Sequence, residues 1–244
     1  MLSTERSVLL IDAGNTKVKG ALYRNGQIVP VFSVKTAEVI KRGELPPIKA
    51  SDVAVASVVP EVTEIIKRVY PGALFISKNS KLPFKLNYRG NIGADRLANV
   101  AGALSYSESF IVVSCGTATV IDVVVSREFV GGYILPGIQT MAECLSRKGA
   151  LLPEVDLKEL RKNPGRSTEE CIRAGISVST LGAIEEIKKR FNLPLFITGG
   201  LGRIVSEILR ERFLENLTFE GIYRIYRAER GESPPKQLTY RKPL

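Results

Sequence analysis

The chain reads as an α/β protein made of two similar halves, and three observations carry that expectation. At Val8 to Lys19 (VLLIDAGNTKVK) an apolar run too short for a helix enters a glycine turn, after which apolar alternation resumes. A closely similar pattern returns about a hundred residues later, at Ile111 to Val123 (IVVSCGTATVIDV). Both copies are followed by the same succession of strand and helix signals.

Each copy reads as strand, tight turn, strand. The first turn is built from Asp12, Gly14, Asn15 and Thr16, and the second from Ser114, Gly116 and Thr117. Glycine there lets backbone approach a ligand closely, and exposed N–H groups beside hydroxyl and amide side chains make a concave anion site suited to phosphate. Two ordinary hairpins are the alternative, since such turns are common. The G-x-x-x-x-G-K-[ST] loop occurs nowhere.

The other elements follow in order. Asn25-Gly26 is a two-residue turn signal, so Ala21 to Tyr23 and Gln27 to Phe32 complete a three-stranded meander. A short helix is expected over Thr36 to Lys41, a buried strand over Val53 to Val59 and an amphipathic helix over Glu61 to Tyr70, closed by Pro71-Gly72. A short strand, Leu74 to Ile76, precedes a helix opened by Gly93-Ala94-Asp95-Arg96 and reaching Ser105. The second half repeats the order with strands at 109–113, 118–125 and 129–135 and a helix from Gln139. Residues 148–166 read as a loop. The periodic run Thr168 to Phe191 reads as two helices joined near Gly175, or as one helix bent there. A buried strand, Leu195 to Thr198, opens into Gly199-Gly200-Leu201-Gly202, and a helix is expected over Ile204 to Phe213. The domains divide as 1–105, 106–230 and a basic tail at 231–244, expected to be flexible around Pro234-Pro235.

Composition narrows the chemistry. With 44% hydrophobic and 25% charged residues, no apolar run near the ~20 residues of a membrane span, and no signal-peptide core before Val8, a cytoplasmic globular protein is expected. Cys115, Cys144 and Cys171 form no C-x-x-C pair and read as reduced, mostly buried thiols. The chain contains no histidine, which excludes a Ser-His-Asp triad and a His-paired cysteine nucleophile and leaves carboxylates as the default general bases. Of the net charge of +10, +4 lies in the last 23 residues, and no nucleic-acid motif accompanies it, so nucleic acid is not an expected partner.

The βββαβα order with a glycine-rich hairpin in each half resembles the actin, sugar kinase and Hsp70 superfamily. That resemblance implies two actin-like (ribonuclease H-like) domains, each a mixed central sheet flanked by helices, with a nucleotide cleft between them. Within it, Asp12-x-Gly14-Asn15-Thr16, Ser57-x-x-Pro60, Gly93-Ala94-Asp95-Arg96, Gly116-Thr117-Ala118-Thr119, Gly131-Gly132-x-Ile134-x-Pro136-Gly137 and Thr198-Gly199-Gly200 together resemble type III pantothenate kinase from about Val8 to Tyr223. The implied activity is ATP-dependent phosphorylation of the primary hydroxyl of pantothenate, the first step towards coenzyme A. Phosphoryl transfer to a hydroxyl needs donors around the phosphates, a cation and a base, and a carboxylate can be that base.

The resemblance assigns roles residue by residue. Asp95 is the implied base, with Gly93, Ala94 and Arg96 beside it on the substrate. Asp12, Gly14, Asn15, Thr16, Lys17 and Lys19 fall to the ATP phosphates, with Asp12 also on Mg²⁺, and Gly116 and Thr117 add further ATP contacts. Tyr88 and Thr168 fall where the family holds pantothenate, the threonine coming from the other subunit of a homodimer. As structural alternatives, Asp95-Arg96 is a solvated pair in a first helical turn, Tyr88 a half-buried strand aromatic and Thr168 an N-cap. Ser114 stands where relatives carry the aspartate of a potassium or ammonium site, the segment from Tyr88 to Gly93 is about two residues short, and Leu201 follows Gly-Gly where a small acidic residue is common. Two other readings are a non-catalytic transcription accessory factor, which the Ser114 change suits, and a kinase of another small hydroxyl substrate or a polyphosphate-handling enzyme on the same fold.

Overall fold

The computed structural model describes residues 7–157, 159–233 and 239–240. In chain order the elements open with β1 (Val8–Ala13), β2 (Lys17–Arg24), β3 (Gln27–Lys35), α1 (Thr36–Arg42), β4 (Asp52–Ser57), α2 (Pro60–Val69), β5 (Leu74–Phe75), β6 (Lys85–Leu86) and α3 (Ala94–Ala103). They continue with β7 (Phe110–Cys115), β8 (Ala118–Val125), β9 (Glu128–Pro136), α4 (Ile138–Lys148), α5 (Thr168–Phe191), β10 (Leu195–Thr198), α6 (Gly202–Leu209), β11 (Arg212–Phe213), α7 (Leu217–Glu229) and β12 (Thr239–Tyr240). The chain forms two compact units. The first groups the described residues through 106, residues 127–129 and those from 216 onward, and the second groups 107–126 with 130–215.

The first unit is a mixed sheet in the order β12-β3-β2-β1-β4-β5. β1 runs antiparallel to β2 and parallel to β4, so the middle strand is covered on both edges. Leu9 and Ile11 of β1 and Val53 and Val55 of β4 point to one face, where they pack with Val39 of α1 and with Val62, Ile65 and Ile66 of α2. Each such side chain fully buried contributes about 1.5–3 kcal/mol. Leu10 and Ala54 alternate to the opposite face and are fully buried there, and α3 and α7 pack along β4.

α3 and α7 meet backbone to backbone. A Cβ placed on Gly221 would lie 1.6 Å from the carbonyl oxygen of Ala98, so only glycine permits this crossing. Thr218 Oγ1 donates to Asn99 Oδ1 at 2.8 Å and Tyr106 Oη to Glu220 Oε1 at 2.9 Å, which pins the buried polar groups of the pair. α3 begins at the sequence motif that carries Asp95, so this packing positions the site.

In the second unit the order is β11-β10-β7-β8-β9; β6 pairs with the start of β9 at Glu128 and Phe129, which group with the first unit. Ile111, Val113, Ile121, Val123 and Ile197 form one sheet face under helices α4, α5 and α6. The duplication extends to element length. β1, β2 and β3 have 6, 8 and 9 residues, and so do β7, β8 and β9.

Several expectations are corrected. Of the two readings of Thr168 to Phe191 the single helix stands, α5 having 24 residues, running through Gly175 and capped by Ser167, whose Oγ accepts from Glu170 N–H. α6 stops at Leu209 because Arg210 turns left-handed (φ 54), and Arg212–Phe213 then pairs with β10 as β11. α7 went unread in the sequence, and it belongs with the first unit rather than with residues 106–215 as the expected boundary had it. In the tail expected to be flexible, Thr239–Tyr240 pairs with Gln27–Ile28, while residues 234–238 and 241–244 lie outside the described residues. Only Cys115 is buried; Cys144 and Cys171 occupy exposed positions of α4 and α5, and all three are free thiols. Among the described residues no helix is long and apolar enough to cross a membrane.

Candidate active site

The first hairpin turn is held by its neighbours. Gly14 N–H donates to Lys17 C=O at 3.1 Å, closing the turn. Thr36, buried at the start of α1, donates from Oγ1 to Gly14 C=O at 2.7 Å and from its N–H to Thr16 C=O at 3.0 Å. The turn that carries Gly14, Asn15 and Thr16 is thereby latched to the helix that follows the meander. The second turn has the same device. Thr117 C=O accepts from Thr140 Oγ1 of α4 at 2.7 Å and from Gly137 N–H at 2.9 Å. Neither threonine was singled out in the sequence; the signal was a threonine in the first turn of the helix after each third strand.

Asp12 lies opposite Lys19 across β1 and β2 and is half-buried. Burial pushes its carboxyl from the ordinary 3.8 up to about 6; Lys19 pulls it down and Asp95 pushes it further up. The first unit therefore brings Asp12 of the hairpin within electrostatic reach of Asp95 on α3. Asp95 is itself raised, chiefly by burial, against the lowering effect of the Arg96 backbone N–H, which donates to Asp95 Oδ1 at 2.9 Å, and of the Arg96 charge. Gly93 makes room for this carboxylate, since a Cβ there would lie 2.4 Å from Asp95 Oδ1. A carboxylate raised by a second one is half of a donor set for a cation, and with both ionised the pair suits a hard one such as Mg²⁺, which is held by one or two carboxylates plus phosphate and water oxygens. Among the described residues no group of three or more acidic or thiol side chains offers an all-protein metal cage.

Arg96 is not a solvated partner of Asp95. It is 7% exposed, its guanidinium lying 5.2 Å from the ring centroid of Tyr88 and 5.5 Å from that of Phe129, with Nη1 donating to Tyr88 Oη at 3.3 Å. Tyr88 and Phe129 meet edge to face at 5.7 Å. The structure joins Tyr88 to Arg96 and adds Phe129, which the sequence reading passed over. Tyr88 follows the two-residue strand β6 and is exposed rather than a half-buried strand aromatic.

Beside Gly93 and Ala94 the first unit has a cavity of about 520 Å³. Val58, Val59, Pro60, Ile76 and Ile92 give it an apolar wall. Ser57, on its rim, accepts from Thr63 Oγ1 at 2.7 Å, which ties the end of β4 to the first turn of α2. Ser57 and Pro60 are thereby explained: the strand ends in a hydroxyl and the helix starts on proline.

The remaining candidates are on other surfaces. Lys17 is exposed opposite Lys35. In the second unit Gly116 and Thr117 form the exposed turn, and Thr168 is the exposed first residue of α5, the N-cap being Ser167. Ser114 pairs with Val120 on β8 and Thr198 on β10, while Asp122 pairs with Val112. Side chains two apart on a strand share a face, so Ser114, Thr198 and Asp122 point to one side, opposite the apolar core; Asp122 is 2% exposed. Burial pushes the Cys115 thiol up to about 12, so the cysteine beside this turn stays protonated.

The sequence model of the type III pantothenate kinase family matches residues 8–190, three quarters of the chain. The chain belongs to that family. It is 31% identical to the type III pantothenate kinase of Persephonella marina, with 90% of this chain and 98% of that one covered, and 32% identical to the one of Fervidobacterium nodosum, with 93% and 99% covered. Among solved structures, a conserved protein of the Baf transcriptional-activator family from Campylobacter jejuni superposes with a TM-score of 0.66 at 21% identity over 91% of this chain and 99% of that one. At that identity the likeness speaks for the shared fold. The type III kinase assignment covers both hairpins and α3.

Proposed function

We propose that the chain transfers the γ-phosphoryl group of ATP to the primary hydroxyl of pantothenate, giving 4′-phosphopantothenate and ADP, the first committed chemistry of coenzyme A synthesis. The observation that carries this reading is the pairing of Asp12 and Asp95, two carboxylates raised by burial, Asp12 also by Asp95, in a chain of this family that contains no histidine. Asp95 accepts the hydroxyl proton while the substrate oxygen bonds to the γ-phosphorus, and the bond to the bridging oxygen breaks with its electron pair leaving on ADP. A carboxyl raised towards the working pH is a better base than an ordinary one.

Asp12 and Lys19, with the turn of Gly14, Asn15 and Thr16, would hold the phosphates and Mg²⁺; the ion, when bound, neutralises developing phosphate charge. Lys17, Gly116 and Thr117 would add contacts to ATP. Gly93, Ala94, Arg96 and Tyr88 would hold pantothenate, and Thr168 would reach it from the partner subunit of a homodimer. A potassium or ammonium ion is proposed near Ser114, where Asp122 on the same sheet face supplies the charge that serine lacks. Three free thiols and ATP dependence suit the cytoplasm.

The test is ADP release by the purified chain with ATP, Mg²⁺ and potassium, with and without pantothenate. Pantothenate-dependent ADP is expected; ATP turnover that ignores pantothenate but responds to another hydroxyl substrate would move the reading to another kinase, and no turnover would move it to a regulator. Sedimentation of a fully active monomer would reject the shared site.

A further inference from the structure

We infer that Phe129 is a positioning residue for substrate binding, the ring that sets Arg96 in place; this rests on the reading above in which Arg96 and Tyr88 hold pantothenate. Phe129 is fully buried. Its ring centroid lies 5.5 Å from the Arg96 guanidinium and 5.7 Å from the Tyr88 ring, which it meets edge to face, so it touches both members of the pair.

The backbone that carries Phe129 is stapled to the segment that leads into Tyr88. Leu86 of β6 pairs with Phe129, Lys85 N–H donates to Arg127 C=O at 2.9 Å and Asn87 N–H donates to Phe129 C=O at 3.2 Å. Glu128 adds side-chain ties, accepting from Lys85 Nζ at 2.9 Å and from Asn87 Nδ2 at 3.2 Å. Residues 127–129 group with the first unit, as Tyr88 and Arg96 do, so the whole arrangement belongs to one compact body. A cation over an aromatic face is attracted by the ring quadrupole, and the attraction grows where water is excluded. Tyr88 is 37% exposed and Phe129 not at all, so Phe129 supplies the drier of the two contacts. A long arginine side chain held this way is ordered before substrate arrives, and binding does not have to order it. Leucine would fill the space without offering a π face. Buried as it is, Phe129 acts through Arg96 rather than on the substrate itself.

The test replaces Phe129 by mono-, di- and trifluorophenylalanine, whose fluorines draw charge off the ring face stepwise with little change of shape. KM for pantothenate should rise stepwise to about tenfold at the trifluoro ring, while kcat and KM for ATP stay within about twofold. Phe129→Leu, which needs no unnatural residue, should reach the same pantothenate KM. In the nitrogen-15 spectrum of the substrate-free protein the ring-shifted Arg96 Nε–H signal should move towards that of free arginine in Phe129→Leu. An unchanged pantothenate KM in Phe129→Leu, a fluorinated series without gradation, or an equal rise in both KM values overturns the inference and leaves the kinase reading standing. A wild-type chain that does not phosphorylate pantothenate overturns the parent reading and this one with it.

Discussion

Replacing Asp12 by asparagine should make the nucleotide-free protein more stable at neutral pH and at the same time inactive. In the fold the Asp12 carboxyl titrates at about 6 against an ordinary 3.8. At about 1.4 kcal/mol per pH unit, ionised Asp12 costs roughly 3 kcal/mol, and solvent reaching this half-buried group brings the expected figure to about 2 kcal/mol. The sign follows from proton binding. Below 3.8 the carboxyl is protonated in folded and unfolded chains alike, and the cost is absent. Between 3.8 and about 6 the folded chain keeps a proton that the unfolded chain has released, so stability falls as pH rises through that window and stays at its lower level above it. Asparagine carries no charge at any pH and escapes the cost, apart from the attraction to Lys19 that it forgoes. Urea unfolding of wild type and Asp12→Asn without nucleotide, near pH 7.5 and again near pH 4, reads the difference. A gain of about 2 kcal/mol at the higher pH that shrinks at the lower one is expected. A variant no more stable than wild type near pH 7.5, or a difference unaffected by pH, would refute the account of Asp12 as a carboxylate kept under strain for a cation.

Two further outcomes follow from the same geometry. Thr36→Val keeps the side-chain shape but leaves the Gly14 carbonyl without its 2.7 Å hydrogen bond, so stability should fall by about 1–3 kcal/mol and KM for ATP should rise several-fold; an unchanged KM in a folded variant would remove the latch from the ATP site. Ser114→Asp places a second carboxylate on the sheet face that already holds Asp122, so the potassium concentration for half-maximal activity should fall; an identical potassium response would show that position 114 does not govern the cation.

Much of the fold was legible because its signals are local. β1 to β3 and β7 to β9 are apolar runs joined by short turns, three of the four containing glycine, and their doubled pattern could be read without any tertiary contact. What escaped depends on partners distant in sequence. α7 carries Phe219, Tyr223 and Tyr226 around Gly221, a composition that argues against a helix, and it is helical because it docks on α3 through that glycine. β6, β11 and β12 have two residues each, too few for a period to show. α6 ended early because Arg210, a residue with no turn signature, adopts a left-handed conformation. At the site the motif residues were legible one by one. Their electrostatics were not: Asp12 and Asp95 are far apart in sequence, and the effect of Asp95 on Asp12 exists only once β1 and α3 are packed. The facing of Asp122 likewise waited on the β7–β8 register, because the turn between the strands hides it.

The proposed base for phosphoryl transfer is a carboxylate, Asp95. Steady-state ADP release by wild type and Asp95→Asn with pantothenate, together with ATP affinity by calorimetry, tests it directly. Loss of a general base predicts a kcat lower by about 10²-fold or more with ATP affinity nearly unchanged. Near-wild-type turnover in a folded Asp95→Asn chain would contradict it.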